Sequence, residues 1–431
     1  MVSRSDGSGG GGLTRRLPPL AIAALLVGAG VALYWPVFHL TPFEEDNVYA
    51  LAWAASTPAV QVPAVDPFYY PEWRPLAYAT VWIEQRLGVP MAFHFGVNLA
   101  LWIACAWLAH RIVRRLVDSE AAALLASLLV LTDPRATWTL VAIIERQTSL
   151  ACVFGLSAVL VSLPIERRLS PLRQVGLGVL LITSILSKEY GAAFALAFVA
   201  YGWLQGRRDL WLPALGAATG YVTLRLIIAG AIVQPYCEEM YLFGTARDVC
   251  LDVTQPASFA QLAYNAAATL VNLPLLGLLS GSGAPIFAES RLVTGVVFTA
   301  LAMLACSKGP RLSAMIAIMV IANAALSVMI YRDRNQLVGA CALAMLAGMG
   351  LPLANSILSN RVARLALAAV IVALIGAQAA LARALVVERG AIAAQIDPCR
   401  LEIMERDFVP PYVERLTAQY RPASPYCDRR H

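Results

Sequence analysis

The sequence predicts an all-α integral membrane protein, a polytopic bundle of about eleven transmembrane helices with a partly helical first external loop. Three observations carry this. The 431 residues are 59% hydrophobic and 14% charged, with mean hydropathy +0.66, whereas a soluble domain carries about a quarter charged residues. Apolar runs near the ~20 residues needed to cross a bilayer recur along nearly the whole length. Lys and Arg gather in the short loops between those runs, the asymmetry that orients a membrane protein. The net charge of +6 is therefore a loop signal, and nucleic acid is not among the expected partners.

Residues 1–16, MVSRSDGSGGGGLTRR, read as a flexible cytoplasmic tail. The run 17–38 follows Arg15 and Arg16 without an A-x-A-like cleavage site, so it reads as a retained anchor. Further helices are expected at about 92–116, 119–133, 146–164, 174–188, 190–205 and 210–232. With that threading, the basic loops at 110–118, 166–173 and 206–209 share the N-terminal side of the membrane, and the acidic segment 39–91 faces the other side. The segment 259–280 is apolar but interrupted by Asn265, Asn272 and Pro274. Read as re-entrant, it returns the basic stretches 307–311 and 360–364 to the cytoplasmic side, giving eleven spans in a domain over 17–384 and an external tail at 385–431. A second external loop is expected at 233–260.

The eight cysteines divide in two. Cys105, Cys152, Cys306 and Cys341 lie in or beside apolar runs and read as small hydrophobes. Cys237 with Cys250, and Cys399 with Cys427, fall in external polar segments where disulfides persist, and free thiols remain the alternative. The four histidines show no metal-ligand spacing.

Charges beside hydrocarbon are costly and mark function more often than chance. Six polar features fall at one membrane level: Glu44-Glu45-Asp46, FYYPEWRPL at 68–76, Asp133-Pro134, Glu145-Arg146, Lys188-Glu189 and YRDRN at 331–335. Taken singly, each reads equally well as helix-end ion pairing or an interfacial aromatic belt. Together they describe a cavity. Carboxylates there suit a general base acting on a hydroxyl, and cations suit a lipid phosphate whose charge grows as it leaves. Three adjacent carboxylates are expected to raise the pKa of at least one of them, a shift that neighbouring arginines could cancel.

In order along the chain, EDNVY, WRPL, FHFGVNL, Asp133-Pro134 with Glu145-Arg146, SKEYG and YRDRNQL resemble the motifs of polyprenyl-phosphate-sugar-dependent glycosyltransferases of the GT-C fold. The resemblance is nearest to the protein O-mannosyltransferase-like group and the membrane part of the transmembrane-and-TPR O-mannosyltransferases. It covers residues about 43–350, and no TPR part follows. Departures are Glu45 for the usual aspartate, Asp133 for a histidine, Glu145 for a glycine, and Trp138 where an acid is expected.

The resemblance implies transfer of a mannose-like sugar from a polyprenyl-phosphate carrier to a protein, glycan or glycolipid hydroxyl. It implies Asp46 or Glu45 as base. Arg74, Arg146, Lys188, Arg332 and Arg334 are the candidate cations, with Arg332 or Arg334 on the carrier phosphate and Arg74 orienting the first loop. Glu189 is expected to pair with Lys188 or a neighbour, and Asp133 to add an acid to the cavity. His94 and Asn98, four apart on one helix face, read as packing residues. A divalent metal near the acidic loop stays open, with no ligands placed. The Gly-, Ala- and Arg-rich composition points to a bacterial inner membrane with a periplasmic active face. A transporter or lipid flippase, and a non-catalytic partner that binds carrier lipid, are the rival readings; the former predicts paired broken helices in internal repeats.

Overall fold

The computed structural model describes residues 18–40, 50–51, 54, 58–59, 73–229, 237–242, 245–250, 265, 267, 269–270, 273, 288–308, 312–327 and 333–395. The chain is a multi-pass membrane protein built from α1 (Pro19–Tyr34), α2 (Pro75–Arg86), α3 (Met91–Val117), α4 (Glu120–Leu131), α5 (Thr137–Val141), α6 (Arg146–Val161), α7 (Pro171–Ser187), α8 (Ala192–Leu204), α9 (Arg208–Ala229), α10 (Ala288–Lys308), α11 (Leu312–Leu326), α12 (Leu337–Ile357) and α13 (Arg361–Gln395). Among the described residues, six helical stretches are long and apolar enough to cross a membrane: Pro19–His39, Met91–Val117, Arg208–Ile228, Arg291–Lys308, Leu337–Ile357 and Arg361–Ala391. Pro134–Val141 and Arg146–Val161 form a further pair bent by 116°.

Local chemistry sets the boundaries. Proline opens the first turn of α1, α2 and α7, where its missing N–H costs nothing. Ser119 caps α4 by accepting from the Ala122 N–H at 3.3 Å. Gly206, at φ +64°, follows α8 in the left-handed conformation that glycine adopts freely. The expected helices differ from the observed ones by a few residues at each end. In the predicted gap after α4, the chain forms a 3-10 turn at Pro134–Ala136 and the short α5. The last helix runs to Gln395, so the start of the segment 385–431 is helical, and no proline interrupts VVERGAIAAQ.

An antiparallel hairpin forms within the predicted loop 233–260: β1 (Cys237–Leu242) and β2 (Thr245–Cys250), with Cys237 in register opposite Cys250. The other predicted pair, Cys399 and Cys427, lies outside the described residues, as do the tail 1–16 and most of 259–280.

Hydrogen bonds separate the bundle into two ends. At one, Arg115 donates to the Leu160 carbonyl at 3.4 Å, Arg207 to the Arg167 carbonyl at 2.7 Å, and the Leu169 N–H to Asp209 at 2.7 Å. This basic end gathers the α3–α4, α6–α7 and α8–α9 turns. At the other end, Tyr34 donates to the Leu131 carbonyl (2.8 Å), Asn98 to the Ala142 carbonyl (3.0 Å), Lys188 to Glu145 (3.1 Å) and Asn335 to the Tyr190 hydroxyl (2.8 Å).

Asn323 near the end of α11 donates to the Asn335 carbonyl at 2.9 Å, so α11 finishes at that second end and begins toward the basic end. A helix rises 1.5 Å per residue, so the 21-residue α10, which finishes four residues before α11 starts, begins near the second end. There α9 also finishes. α9 thus ends, and α10 begins, at that same end. Lys308, Arg361 and Arg364 consequently fall at the basic end.

Close packing of α10 on α12 depends on Gly350. A Cβ there would lie 2.0 Å from the Leu301 carbonyl oxygen, a backbone atom that cannot rotate away. Gly350→Ala is expected to destabilise the bundle by about 1–3 kcal/mol, whereas Gly376→Ala, with nothing within 4 Å, leaves stability unchanged or raises it. Thermal unfolding of the two variants in detergent checks this contrast.

Candidate functional site

The end opposite the basic loops is where the sequence-predicted polar residues converge. The α5–α6 corner, the α7–α8 turn, the start of α2 and the 3-10 turn before α12 meet there. The bend between α5 and α6 exposes backbone polar groups at membrane depth, which is tolerated where protein groups satisfy them. Asn98 supplies such a group to Ala142, and Arg146 supplies another, Nε donating to the Ile143 carbonyl at 3.1 Å.

Arg146 is fully buried at the start of α6. Its Nη1 donates to Glu84 Oε1 at 2.5 Å and its Nη2 to the His94 carbonyl at 3.2 Å. Glu84 Oε2 also lies 2.5 Å from His94 Nδ1. One carboxylate on α2 thereby ties an external helix to α3 and α6. Burial alone would raise the Glu84 pKa, but the adjacent His94 and the Arg146 charge outweigh it and hold it below the usual carboxylate range. His94 and Asn98 are both buried on α3.

Lys188 turns to Glu145 at 3.1 Å and to Thr148 at 2.8 Å, with side-chain exposures of 2% and 4% for the ion pair. Glu189 instead pairs with Arg74 at 2.9 Å and Arg225 at 3.3 Å. The expected option of a Lys188–Glu189 pair is corrected by backbone geometry. Lys188 is extended, at φ −161° and ψ 140°, and successive side chains of an extended segment point to opposite sides. Burial pushes the Glu189 carboxyl up, yet the Arg74 and Arg225 charges hold it below the usual carboxylate range.

Asp133 caps the 3-10 turn through the Arg135 N–H at 2.9 Å and binds the Arg135 guanidinium at 2.6 Å. The expected second acid of the cavity is thus a buried ion-pair partner. Arg135 continues to the Leu273 carbonyl at 3.0 Å and to Gln336 at 3.3 Å. Asn335 reaches Tyr190, and Asn323 Oδ1 accepts the Gly339 N–H at 2.7 Å. The backbone carrying Arg334 is therefore held from three sides, although the Arg334 side chain, Arg332 and Glu44-Glu45-Asp46 lie outside the described residues. Among the described residues, no group of three or more His, Cys, Asp or Glu could hold a metal ion.

Sequence reasoning missed Glu84, Arg135, Gln147, Tyr190, Arg225 and Asn323. Arg225 carried a signal, being the lone charge in the run YVTLRLIIA. Asn323 is similarly isolated in IMVIANAAL. Glu84 carried none, since an acid in an external helix is unremarkable until its partner is known.

No protein-family model and no curated protein sequence matches the chain. Solved structures do. ArnT from Cupriavidus metallidurans, in the apo state and bound to undecaprenyl phosphate, superposes with TM-scores of 0.57 and 0.55 at 14% and 15% identity, over 91% of this chain and 81% of that one. The Archaeoglobus fulgidus oligosaccharyltransferase in the apo form superposes with a TM-score of 0.52 at 12% identity. It is matched over 95% of this chain, which spans 60% of that longer protein. At such identities the likeness is one of fold, and the fold is the GT-C-like helical bundle.

The Arg146–Glu84 pair supplies a stability test. Removing one partner of a buried ion pair strands the other, at a cost of about 3–5 kcal/mol. Arg146→Met should show that loss in thermal unfolding, and adding Glu84→Leu should recover part of it; equal melting of single variant and wild type would contradict the pairing.

Proposed function

We propose that this chain is a membrane glycosyltransferase that moves a mannose-like sugar from a polyprenyl-phosphate carrier to an acceptor hydroxyl. The carrying observation is the gathering of Arg74, Arg146, Lys188, Glu189 and the Arg334 backbone at the end of a GT-C-like bundle opposite the basic loops. Solved structures of this fold include one bound to undecaprenyl phosphate and one in complex with an inhibitory peptide and a dolichol-phosphate. The positive-inside rule supports a cytoplasmic basic end and an external site end, which in a bacterial inner membrane faces the periplasm. About eleven spans are consistent with this threading.

In this reading Asp46 or Glu45 takes the proton of the acceptor hydroxyl as its oxygen attacks the anomeric carbon. The carrier phosphate leaves with the electrons of the cleaved bond, and Arg332 or Arg334 stabilises its growing charge. Arg146 and Lys188, buried in ion pairs, shape the cavity and its field rather than contact the phosphate. Arg74 orients the first loop. Asp133 holds Arg135, which in turn holds Gln336 beside the arginine-bearing turn. The acceptor is a protein, a cell-envelope glycan or a glycolipid, and the nearest activity by sequence motif is that of the O-mannosyltransferase-like group.

The test supplies radiolabelled polyprenyl-phosphate mannose, with other carrier-linked sugars in parallel, to membranes holding wild type or the double substitution Glu45→Gln, Asp46→Asn. Transfer by wild type should fall at least ~100-fold in the double variant at equal protein level. Transfer that survives the double substitution removes the acidic loop from the mechanism, and periplasmic glycans unchanged by deleting the protein would refute the enzyme.

A further inference from the structure

The acid–base pairs at the site end differ in one respect. The Glu84–Arg146, Glu145–Lys188 and Asp133–Arg135 side chains are at most 9% exposed. Glu189 is 30% exposed, and its two oxygens go to different guanidiniums: Oε2 to Arg74 Nε at 2.9 Å and Oε1 to Arg225 Nη1 at 3.3 Å. Those partners come from separate parts of the chain. Arg74 stands where the first external loop meets α2, and Arg225 lies within α9. One further contact ties the same parts, and a second, within α9, braces it. Trp73 stacks on Tyr221 with ring centroids 6.0 Å apart at 27°, and Arg225 donates to the Tyr221 hydroxyl at 2.7 Å. Arg74 also donates to Gln147 on α6 at 3.0 Å.

We propose that Glu189 is a positioning residue: a two-armed latch that docks the C-terminal root of the first external loop on the bundle, with Arg225 as its second anchor. The latch itself stands on geometry alone. Its consequence for catalysis rests on the proposed function, because the same loop carries Glu45 and Asp46. A carboxylate that bridges two guanidiniums fixes both positions and directions, which a single surface pair does not. Trp73 and Tyr221 shield the contact on one side, while the exposed face of Glu189 leaves it sensitive to loss of a single charge. Aspartate keeps the charge but is one methylene shorter, so it reaches one arginine rather than both.

The experiment uses full-length protein in nanodiscs. A glutamate-specific protease cuts after Glu72, directly before Trp73. Cleavage there should accelerate about tenfold in Glu189→Gln, as a local contact that protected the loop root is released, and Glu189→Asp should fall between. Arg225→Lys keeps the charge and gives a second, milder reading should Glu189→Gln fail to accumulate. In the sugar-transfer assay, Glu189→Gln should lower kcat about 10- to 100-fold with the donor KM within about twofold, the pattern of a misplaced catalytic group. Cleavage at the wild-type rate in both variants overturns the latch. Faster cleavage with unchanged kcat overturns its link to the base. A wild type that transfers from no donor refutes the proposed function, and the proteolysis still decides the latch.

Discussion

A cation or carboxylate removed from water into a bundle of apolar helices is tolerated only when it meets an opposite charge or a full set of hydrogen bonds. That constraint organises this molecule. Arg146, Lys188 and Arg135 are each 4% exposed or less, and each finds a carboxylate: Arg146 and Lys188 on another element, Arg135 on the cap of its own turn. The carboxylates therefore decide which helices approach. Glu84 brings the external helix α2 to α3 and α6, Glu145 joins the bent α5–α6 corner to the α7–α8 turn, and Glu189 joins that turn to α9 and the first loop. A pair of this kind contributes little net stability over an apolar one, but it specifies one arrangement, since any slip strands a charge.

The same constraint explains the contrast between the two ends. At the basic end, Arg114 pairs with the exposed Asp118, and Arg207 with Asp209, on a surface where water shares the load. At the site end the charges are interior, and the loops are drawn inward by them. The 3-10 turn at Asp333–Gln336 illustrates this. Asn323, Tyr190 and Arg135 reach it from three different elements, so the segment bearing the proposed phosphate-binding arginine is positioned by side chains far away in sequence.

Much of the fold was legible because membrane crossing writes itself in composition. Hydropathy located α1, α3, α4 and α6 to α9 within a few residues, and the alternation of basic loops gave their order of crossing. The candidate site was legible as a level, since Arg74, Glu145, Arg146, Lys188 and Glu189 do converge. Its wiring was not. Lys188 and Glu189 are adjacent in sequence, and only the extended backbone at Lys188 shows that they face apart. Asp133, an acid at the site end, is held by Arg135 two residues on, a pairing that sequence adjacency alone does not show. Glu84 and Arg225 find partners over long sequence separations, and such pairings leave no trace in local pattern. The hairpin at Cys237–Cys250 was read as a loop because two six-residue strands outside an apolar context give a weak periodic signal.

The central claim is that the site end receives the phosphate of a polyprenyl carrier. The most direct measurement is photo-crosslinking of a polyprenyl phosphate bearing a photoreactive group close to its phosphate, with the labelled peptides mapped by mass spectrometry. It needs neither the sugar nor the acceptor. The account predicts labelling of segments 68–76 and 331–337, competed by unlabelled polyprenyl phosphate and not by bulk phospholipid. Labelling confined to the basic turns at 110–118, 166–173 and 206–209, or equal competition by any phospholipid, would contradict it.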